Sequence, residues 1–109
     1  MNKCVFCAIR DREIPSNIIY EDEDVLVFPD IHPFKPVHLL IVPKKHIGDF
    51  LDLSNDDLFE KLKSVAQKMV REKGLKDTGY RVVVNGGGAQ AINHLHVHLF
   101  GPMGRKASL

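Results

Sequence analysis

The sequence predicts a single α+β domain built on one antiparallel sheet, and two patterns in its 109 residues support this fold class. Five short segments rich in branched and aromatic residues are typical of strands, and most of them follow one another without a helix between them. One longer segment carries apolar residues at helical spacing. Short connections favour antiparallel pairing, so we expect a five-stranded antiparallel sheet with one long helix packed on one face.

The strand predictions rest on segments that are bounded by Pro, Gly or Asp. These segments are Asn17–Tyr20, Val25–Phe28, His38–Val42, Tyr80–Asn85 and Leu95–Phe100. No linker, internal repeat or low-complexity tract divides residues 1–109. One domain over the whole sequence is therefore expected.

The long helix is predicted from about Ser54 to Lys73, where apolar residues recur three or four positions apart. Ser54 is suited to cap its first turn, and Gly74 is suited to end its last turn. A short N-terminal helix is also predicted, from Phe6 to Arg10. The two helices differ in the evidence for them, because the short segment spans too few residues to establish a period.

The charges of the chain are nearly balanced, with 15 Lys and Arg against 14 Asp and Glu and a net charge of +1. A protein that neutralises many phosphates needs a strong positive field, so nucleic acid is not an expected partner. Apolar runs such as Leu39–Val42 are far too short to cross a bilayer, and the first residues lack the apolar stretch of a signal peptide. We expect a cytoplasmic protein without membrane contact.

Three of the six histidines alternate along the chain, at His94, His96 and His98. On a strand, alternate side chains share a face, so the three imidazoles are expected on one side and the apolar residues between them in the core. Three alternating histidines favour chemistry over an ordinary exposed strand face. Two chemistries remain open: a catalytic zinc held by histidines, or direct attack of a neutral imidazole on phosphorus or an acyl carbon.

The loop before these histidines, residues 85–90, contains three consecutive glycines. Glycines let backbone amides approach an anion closely, which favours phosphate, although a flexible hairpin loop has the same composition. His38 and His46 lie in a separate segment of the chain. An isolated histidine is by default a core or a surface residue.

Taken together, these segments resemble the histidine triad (HIT) superfamily, in particular its Hint-like branch. The resemblance is carried by H-x-H-x-H at positions 94–98, by the Asn-Gly-rich-Gln loop before it, and by P-x-H-x-L-I-V-P-K-K-H at positions 36–46. Shorter matches follow in the expected order at Phe6-Cys7-x-Ile9, Glu13-Ile14-Pro15-Ser16, Tyr20-Glu21-Asp22 and Phe28-x-Asp30-Ile31. The resemblance covers nearly the whole chain and implies a HIT-like fold and a homodimer in which the two sheets join.

The resemblance also implies an activity, the hydrolysis of the bond between a nucleoside 5′-phosphate and an amine or another leaving group. The substrate would be a purine nucleotide, and no catalytic metal or organic cofactor is implied. His96 would be the nucleophile that forms a covalent nucleotidyl-histidine, and His98 would contact the phosphate oxygens. His38 would complete the relay of imidazoles, and His94 would fix the geometry of the strand.

The substrate-binding residues follow from the same resemblance. Asn85, with the amides around Gly88 and Ala89, would hold the phosphate. Gln90 could turn in to supply a further hydrogen bond, and Asp30 would bind the ribose hydroxyls. The purine would be enclosed by apolar residues that are equally suited to a core, namely Phe6, Ile9, Ile14, Phe28 and Ile31.

Cys4 and Cys7 form a CxxC motif, which supplies two of the four ligands of a tetrahedral zinc. Related HIT-superfamily proteins with this motif imply that His46 and His94 complete a structural zinc site. Packed thiols and a redox role are the alternatives. The redox role is poorly supported because no βαβ unit follows the motif, as it does in thioredoxin-like folds.

The chain departs from the Hint-like pattern after the loop glutamine, where a Ser or Thr is usual and Ala91 stands here. A methyl group cannot donate a proton, which predicts slow cleavage when the leaving group is an unactivated amine. The main alternative function is therefore a nucleotide-binding regulatory or scaffold module with vestigial hydrolysis. A zinc hydrolase that uses the triad as ligands is less favoured, because Cys4 and Cys7 offer zinc a better site.

Overall fold

The structure, a computed structural model, describes residues 4–105, 107 and 108, and it confirms the predicted α+β fold class. A single turn of 3-10 helix precedes the long helix. In chain order the elements are α1 (Val5–Arg10), β1 (Tyr20–Glu21), β2 (Val25–Pro29), β3 (Val37–Pro43), the 3-10 turn (Phe50–Asp52), α2 (Leu58–Glu72), β4 (Arg81–Val84) and β5 (Val97–Gly101).

The strands form one antiparallel sheet with the spatial order β1-β2-β3-β5-β4. Strands β3 and β5 are neighbours near its centre although they are far apart in the chain. Their register pairs Leu40 with His98 and His38 with Phe100. This register places His38 of β3 next to His98 of β5.

The sheet separates two buried clusters. On one face, α2 packs with Leu62, Val65 and Met69 against the sheet. The strand residues of this cluster are Val25, Val27, Leu39, Ile41, Val97 and Leu99. On the other face, the cluster contains Phe6, Ile9, Leu26, Phe28, Leu40 and Val42. Because strand side chains alternate, His38 and His98 belong to this second face, which carries α1.

Helix α1 confirms the predicted N-terminal helix and begins one residue earlier than expected. The Sγ of Cys4 accepts the backbone N–H of Cys7 at 3.3 Å and so caps the first turn. The short helix is thus held by the same cysteine that the sequence marks as a metal ligand.

Helix α2 begins at Leu58 rather than at Ser54, so the predicted Ser54 cap is wrong. The Ser54 hydroxyl instead donates to Oδ2 of Asp56 at 3.0 Å, and Oδ1 of Asp56 accepts the N–H of Leu58 at 3.1 Å. An Asx-type turn from Asp56 to Leu58 therefore precedes the helix, where the sequence predicts its first turn. At the other end, Gly74 follows with φ of +69°, as the predicted helix stop requires.

Two strands begin at least two residues later than predicted. Pairing in β1 covers Tyr20 and Glu21 and is thus shifted toward the β1–β2 turn, where Oδ1 of Asp22 accepts two backbone N–H groups at 2.8 Å. Strand β5 begins at Val97, so of the three alternating histidines only His98 lies within it. Across the described part of the chain, the helices are too short and too polar to cross a membrane.

Candidate active site and metal centre

His38 and His98 form a direct imidazole pair across β3 and β5. Nε2 of His38 lies 2.9 Å from Nδ1 of His98. The backbone N–H of Phe34 donates to Nδ1 of His38 at 2.9 Å, so this nitrogen is the acceptor and Nε2 carries the proton. Nε2 of His38 therefore donates to His98, and the proton of neutral His98 resides on its own Nε2. The pair presents one N–H donor at its end, on His98.

His96 takes the opposite tautomer. Its Nδ1 lies 2.7 Å from the carbonyl oxygen of His94 and must donate a proton to it. The lone pair of neutral His96 is therefore on Nε2. Its ring is buried and lies 4.9 Å from the ring of His98, centroid to centroid. A nucleophilic nitrogen and a hydrogen-bond donor thus lie on neighbouring rings.

Burial keeps the relay neutral. Burial, and then the imidazoles of His96 and His38, lower the pKa of His98 to about 4, against the opposing effect of the Asp30 carboxylate. Burial also lowers the pKa of His38, again opposed by Asp30. Both rings are therefore uncharged at pH 7, as the hydrogen bond between them requires.

Asp30 lies beside the relay. Its Oδ2 is 3.5 Å from Nε2 of His38, and its Oδ1 accepts the N–H of His32 at 2.8 Å. Asp30, His38 and His98 have ligand-type atoms close together. They do not suit a cation, however, because Nδ1 of His38 already accepts the Phe34 amide and Nε2 of the neutral ring has no lone pair to offer. The contact between Asp30 and His38 is instead suited to fixing the position of the proton on Nε2 of His38.

The glycine loop is fixed by its own atoms and by the segment before the 3-10 turn. The N–H of Gly88 donates to Oε1 of Gln90 at 3.0 Å, and that of Ala89 donates to the Gly86 carbonyl at 3.1 Å. Nε2 of Gln90 donates to the Gly48 carbonyl at 3.1 Å. An incoming phosphate that binds these amides must replace the Gln90 oxygen. Asn85 is half-buried directly after β4.

Sequence reasoning missed two groups that shape the site. Oδ1 of Asp49 accepts the N–H of Gly87 at 3.1 Å and ties the loop to a residue 38 positions earlier. The Phe34 amide fixes the tautomer of His38 from four positions away. No motif marks either group, because both act through contacts that only the folded chain creates.

The apolar residues predicted to enclose a purine divide into two groups. Phe6, Ile9 and Phe28 are buried in one cluster on the α1 face. Ile14 is 40% exposed and Ile31 is 86% exposed, and both lie outside that cluster. The structure thus brings three of the five together and leaves two on the surface.

The structure assembles Cys4, Cys7, His46 and His94 into one group, as the resemblance implies. Nδ1 of His94 lies 3.3 Å from Sγ of Cys4 and 3.6 Å from Sγ of Cys7. Nδ1 of His46 lies 3.4 Å from Sγ of Cys7 and 3.2 Å from Nδ1 of His94. Ligands bonded to a tetrahedral zinc are separated by about 3.3–3.8 Å, given zinc–nitrogen and zinc–sulfur bonds of about 2.0–2.3 Å.

The surroundings of this group also suit a metal. Nε2 of His94 lies 2.8 Å from the Pro43 carbonyl and donates to it, which leaves the lone pair on Nδ1 facing the cysteines. Burial lowers the pKa of His94 to about 4, so its ring is neutral. Burial, together with Cys4, raises the pKa of the Cys7 thiol, and a bound cation would favour the thiolate there. The donor set therefore fits a closed Cys₂His₂ zinc site.

Comparisons with known proteins agree with this fold. A family model described as "Scavenger mRNA decapping enzyme C-term binding" matches residues 3–108. The chain is 43% identical over 103 residues to the 14 kDa zinc-binding protein of Zea mays, which covers 89% of this chain and 80% of the relative.

Two crystal structures extend the comparison. A HIT family hydrolase from Legionella pneumophila superposes with a TM-score of 0.88 at 41% identity, covering 97% of this chain and 100% of that one. A histidine triad nucleotide-binding protein from Candida albicans gives a TM-score of 0.83 at 32% identity, covering 89% and 73%. With these matches along its whole length and its histidines in the triad arrangement, the chain belongs to the histidine triad family.

Proposed function

We propose that the protein is a nucleotide hydrolase or transferase that cleaves a nucleoside 5′-phosphate from its leaving group through a covalent nucleotidyl-His96. The observation that carries this proposal is the pair of opposed tautomers: His96 offers a lone pair on Nε2, and His98 offers an N–H. The likeness to a HIT family hydrolase and to a histidine triad nucleotide-binding protein supports the substrate class.

The reaction proceeds in two displacements at phosphorus. Nε2 of His96 attacks the α-phosphorus, and the bond from phosphorus to the leaving group breaks as the nitrogen–phosphorus bond forms. The leaving group departs with the electron pair of that bond, and a leaving amine takes a proton from solvent, to which the attacking water returns one in the second displacement. The N–H of His98 donates to a non-bridging oxygen and stabilises its charge. Water then attacks the nucleotidyl-histidine, releasing the nucleoside monophosphate and regenerating neutral His96.

In this proposal the substrate is a purine nucleotide, with a phosphoramidate as the leading candidate. Asn85, Gly88, Ala89 and Gln90 bind its phosphate, and Asp30 binds its ribose. The purine packs on the apolar wall formed by Phe6, Ile9, Ile14, Phe28 and Ile31. Phe6, Ile9 and Phe28 pack together in one buried cluster, and the Phe6 ring contacts the His96 ring. These contacts support an apolar wall next to His96.

We also propose that zinc is bound by Cys4, Cys7, His46 and His94 and has a structural role. Four protein ligands close a tetrahedral site and leave no position for a catalytic water. The 3.2–3.6 Å separations among the ligand atoms support this assignment. When bound, zinc would join α1 to the segments that follow β3 and precede β5.

The proposed assembly is a homodimer. The helix α2 and the edge strand β4 line an open apolar groove of about 410 Å³. Phe59, Tyr80 and Val82 are each more than 40% exposed along it. A two-fold copy would cover this groove and the free edge of β4. We further propose a cytoplasmic location, without nucleic-acid or membrane partners, in keeping with the near-neutral charge and two free cysteines.

A nucleotide-binding module with vestigial hydrolysis is the second candidate, and Ala91 is the observation that favours it. Its methyl group cannot protonate a leaving amine. Measured turnover separates the two candidates, because a binding module retains nucleotide affinity without product release.

The test of the proposed function is the substitution His96→Ala, assayed against nucleoside 5′-phosphoramidates and dinucleotides. Hydrolysis should be abolished, while nucleoside monophosphate binding should stay within about tenfold, because His96 is one of several phosphate contacts. Substantial turnover by a folded His96→Ala protein would overturn the covalent mechanism. Absence of turnover by the unsubstituted protein, with nucleotide binding intact, would favour the binding module.

A further inference from the structure

The nucleophilic imidazole is held on two sides by residues of the metal centre. On one side, Nδ1 of His96 donates to the carbonyl of His94, itself a proposed zinc ligand, at 2.7 Å. On the other side, the ring of Phe6 meets the ring of His96 edge to face, with centroids 5.1 Å apart and planes at 87°. Phe6 lies between the two cysteines in the CxxC motif. Both supports of His96 are thus joined to metal ligands.

Phe6 is well placed to transmit the position of the cysteines. Its side chain is only 5% exposed and also packs against the rings of His94, at 5.7 Å, and Phe28, at 5.5 Å. Cys4 caps the helical turn that contains Phe6 by accepting the N–H of Cys7. A shift of either cysteine therefore moves the backbone that carries the Phe6 ring.

We propose that Phe6 is a positioning residue that couples the metal centre to the nucleophile, so that metal binding sets the orientation of the His96 ring. This inference rests on the proposed function for its catalytic consequence. An in-line attack at phosphorus requires the Nε2 lone pair to point at the reacting atom. Rotation of the His96 ring about its Cβ–Cγ bond would break the hydrogen bond to His94 and the edge-to-face contact with Phe6. Metal bonds to the cysteines and to His94 restrain both supports.

A purely structural or pocket role for Phe6 predicts a different kinetic effect. If Phe6 only enclosed the purine, its truncation would weaken substrate binding and raise KM. If it orients the nucleophile, truncation lowers kcat with little change in KM. Phe28 is the matched comparison, since it is a buried phenylalanine of the same cluster that contacts Phe6.

The first experiment follows the His96 ring signals by ¹H–¹³C NMR in the full chain at one fixed pH, before and after zinc is removed with a chelator. Signals are assigned with His96→Gln. Removal of zinc should shift or broaden the His96 signals in the unsubstituted protein and in Phe28→Leu. In Phe6→Leu the zinc-loaded spectrum should already be displaced, and the response to chelation should be smaller. His96 signals that ignore zinc, or that respond equally in Phe6→Leu, overturn the coupling.

The second experiment measures kcat and KM of the zinc-loaded proteins with a nucleoside 5′-phosphoramidate. Phe6→Leu should lower kcat by about tenfold, a larger effect than its change in KM, whereas Phe28→Leu should act mainly on KM. A raised KM with unchanged kcat in Phe6→Leu overturns the positioning role. If the unsubstituted protein shows no turnover, the proposed function fails, and the NMR response still decides the coupling.

His46→Ala keeps the inference testable if Phe6→Leu does not fold. His46 is an exposed member of the cluster, and its removal weakens metal binding while leaving the residues of helix α1, including Phe6, chemically unchanged. Its His96 signals should resemble those of the chelated unsubstituted protein. Signals identical to those of the zinc-loaded unsubstituted protein, in a His46→Ala sample that metal analysis shows to be zinc-free, contradict the coupling.

Discussion

A chain of hydrogen bonds that starts at a backbone amide fixes the proton of the relay. The Phe34 N–H donates to His38, and His38 donates to His98. Each neutral ring has one donor and one acceptor, so the first bond determines the direction of the rest. The position of the free N–H of His98 is thereby set by the backbone of a loop residue, Phe34.

The low pKa of His98 predicts an acid-dependent loss of stability. Its folded pKa is about 4, below the ordinary value of 6.5, so the unfolded chain binds a proton that the folded chain excludes between these values. The contribution of His98 is complete above pH 6.5 and is lost as pH falls toward 4. Between pH 7 and pH 5 the free energy of unfolding should fall by at most about 2 kcal/mol on this account.

Urea unfolding of the zinc-loaded protein and of His98→Gln at pH 7 and pH 5 measures this contribution. Gln can accept the proton of His38 but does not itself titrate. The unsubstituted protein should lose more stability on acidification than His98→Gln. Equal losses in the two proteins would contradict a depressed pKa of His98.

Ala91→Ser tests leaving-group protonation at one residue. A hydroxyl next to Gln90 can supply the proton that a leaving amine needs, and one positioned donor is worth on the order of 10² to 10⁴ in rate. The rate with unactivated phosphoramidates should rise, and the rate with a nitrophenolate leaving group should change little. Steady-state rates measured with the two substrate types test this expected selectivity. Equal effects on both, or no effect, would show that position 91 does not govern protonation.

At the residue scale, the sequence was sufficient to predict which histidines gather and insufficient to predict their protons. Alternation and the family resemblance single out His96 and His98, and the structure places their rings side by side. The tautomers depend on the Phe34 amide and the His94 carbonyl, whose positions follow from tertiary packing. No residue type or spacing encodes those two contacts.

At the scale of elements, two loops hold one another in the site. The loop at 85–90 is joined to the segment before the 3-10 turn through Asp49 and Gly48. Gly86 permits this approach, because a Cβ built there would lie 2.6 Å from Oδ1 of Asp49. The glycine loop at 85–90 thus depends on a contact made by the connection between β3 and α2.

Gly86→Ala should displace the Asp49 carboxylate from the N–H of Gly87, and Asp49→Ala should remove the same bond. Each change is expected to destabilise the fold by about 1 kcal/mol and to raise KM for nucleotide. The double variant should lower the free energy of unfolding by clearly less than the sum of the two single losses, because both substitutions remove the same hydrogen bond. Gly48→Ala is the control, because its added Cβ meets atoms no closer than 3.4 Å. Additive losses in urea unfolding would contradict the shared contact.

The sequence predicts the type of each helix and strand correctly, but it predicts their first and last residues less well. Helical periodicity correctly predicts α2, yet Ser54 fails as its cap because its hydroxyl is hydrogen-bonded to Asp56, whose other carboxylate oxygen accepts the Leu58 amide where the helix begins. Branched and aromatic segments bounded by Pro, Gly or Asp correctly predict that the sheet has five strands. They overextend β5 toward its N-terminus because the residues before Val97 include His94, whose ring contacts Cys4, Cys7 and His46 and donates to the Pro43 carbonyl.

At the scale of the whole molecule, the apolar groove between α2 and β4 is the feature that a single copy leaves uncovered. Val82→Asp introduces a charge into this groove, where the valine is 49% exposed. Burying an unpaired carboxylate in a dimer interface is costly, so this variant should be monomeric. Light scattering at micromolar concentration should give twice the 12.3 kDa chain mass for the unsubstituted protein.

Leu51→Asp is the matched control for this prediction. Leu51 is 86% exposed and lies outside the groove, so the same change of charge there should leave the dimer intact. A monomeric unsubstituted protein, or dissociation by both substitutions alike, would contradict the assignment of the interface.

In the proposed mechanism His96 becomes covalently bonded to the nucleotide, and rapid-quench mass spectrometry detects this bond. The full chain is mixed with a nucleoside 5′-phosphate that carries a good leaving group and is denatured within the first turnover. The account predicts a mass gain of one nucleotidyl group, located on the peptide that contains His96 and absent from His96→Ala. Product release without any covalent adduct at times shorter than one turnover, with hydrolysis retained in His96→Ala, would contradict it.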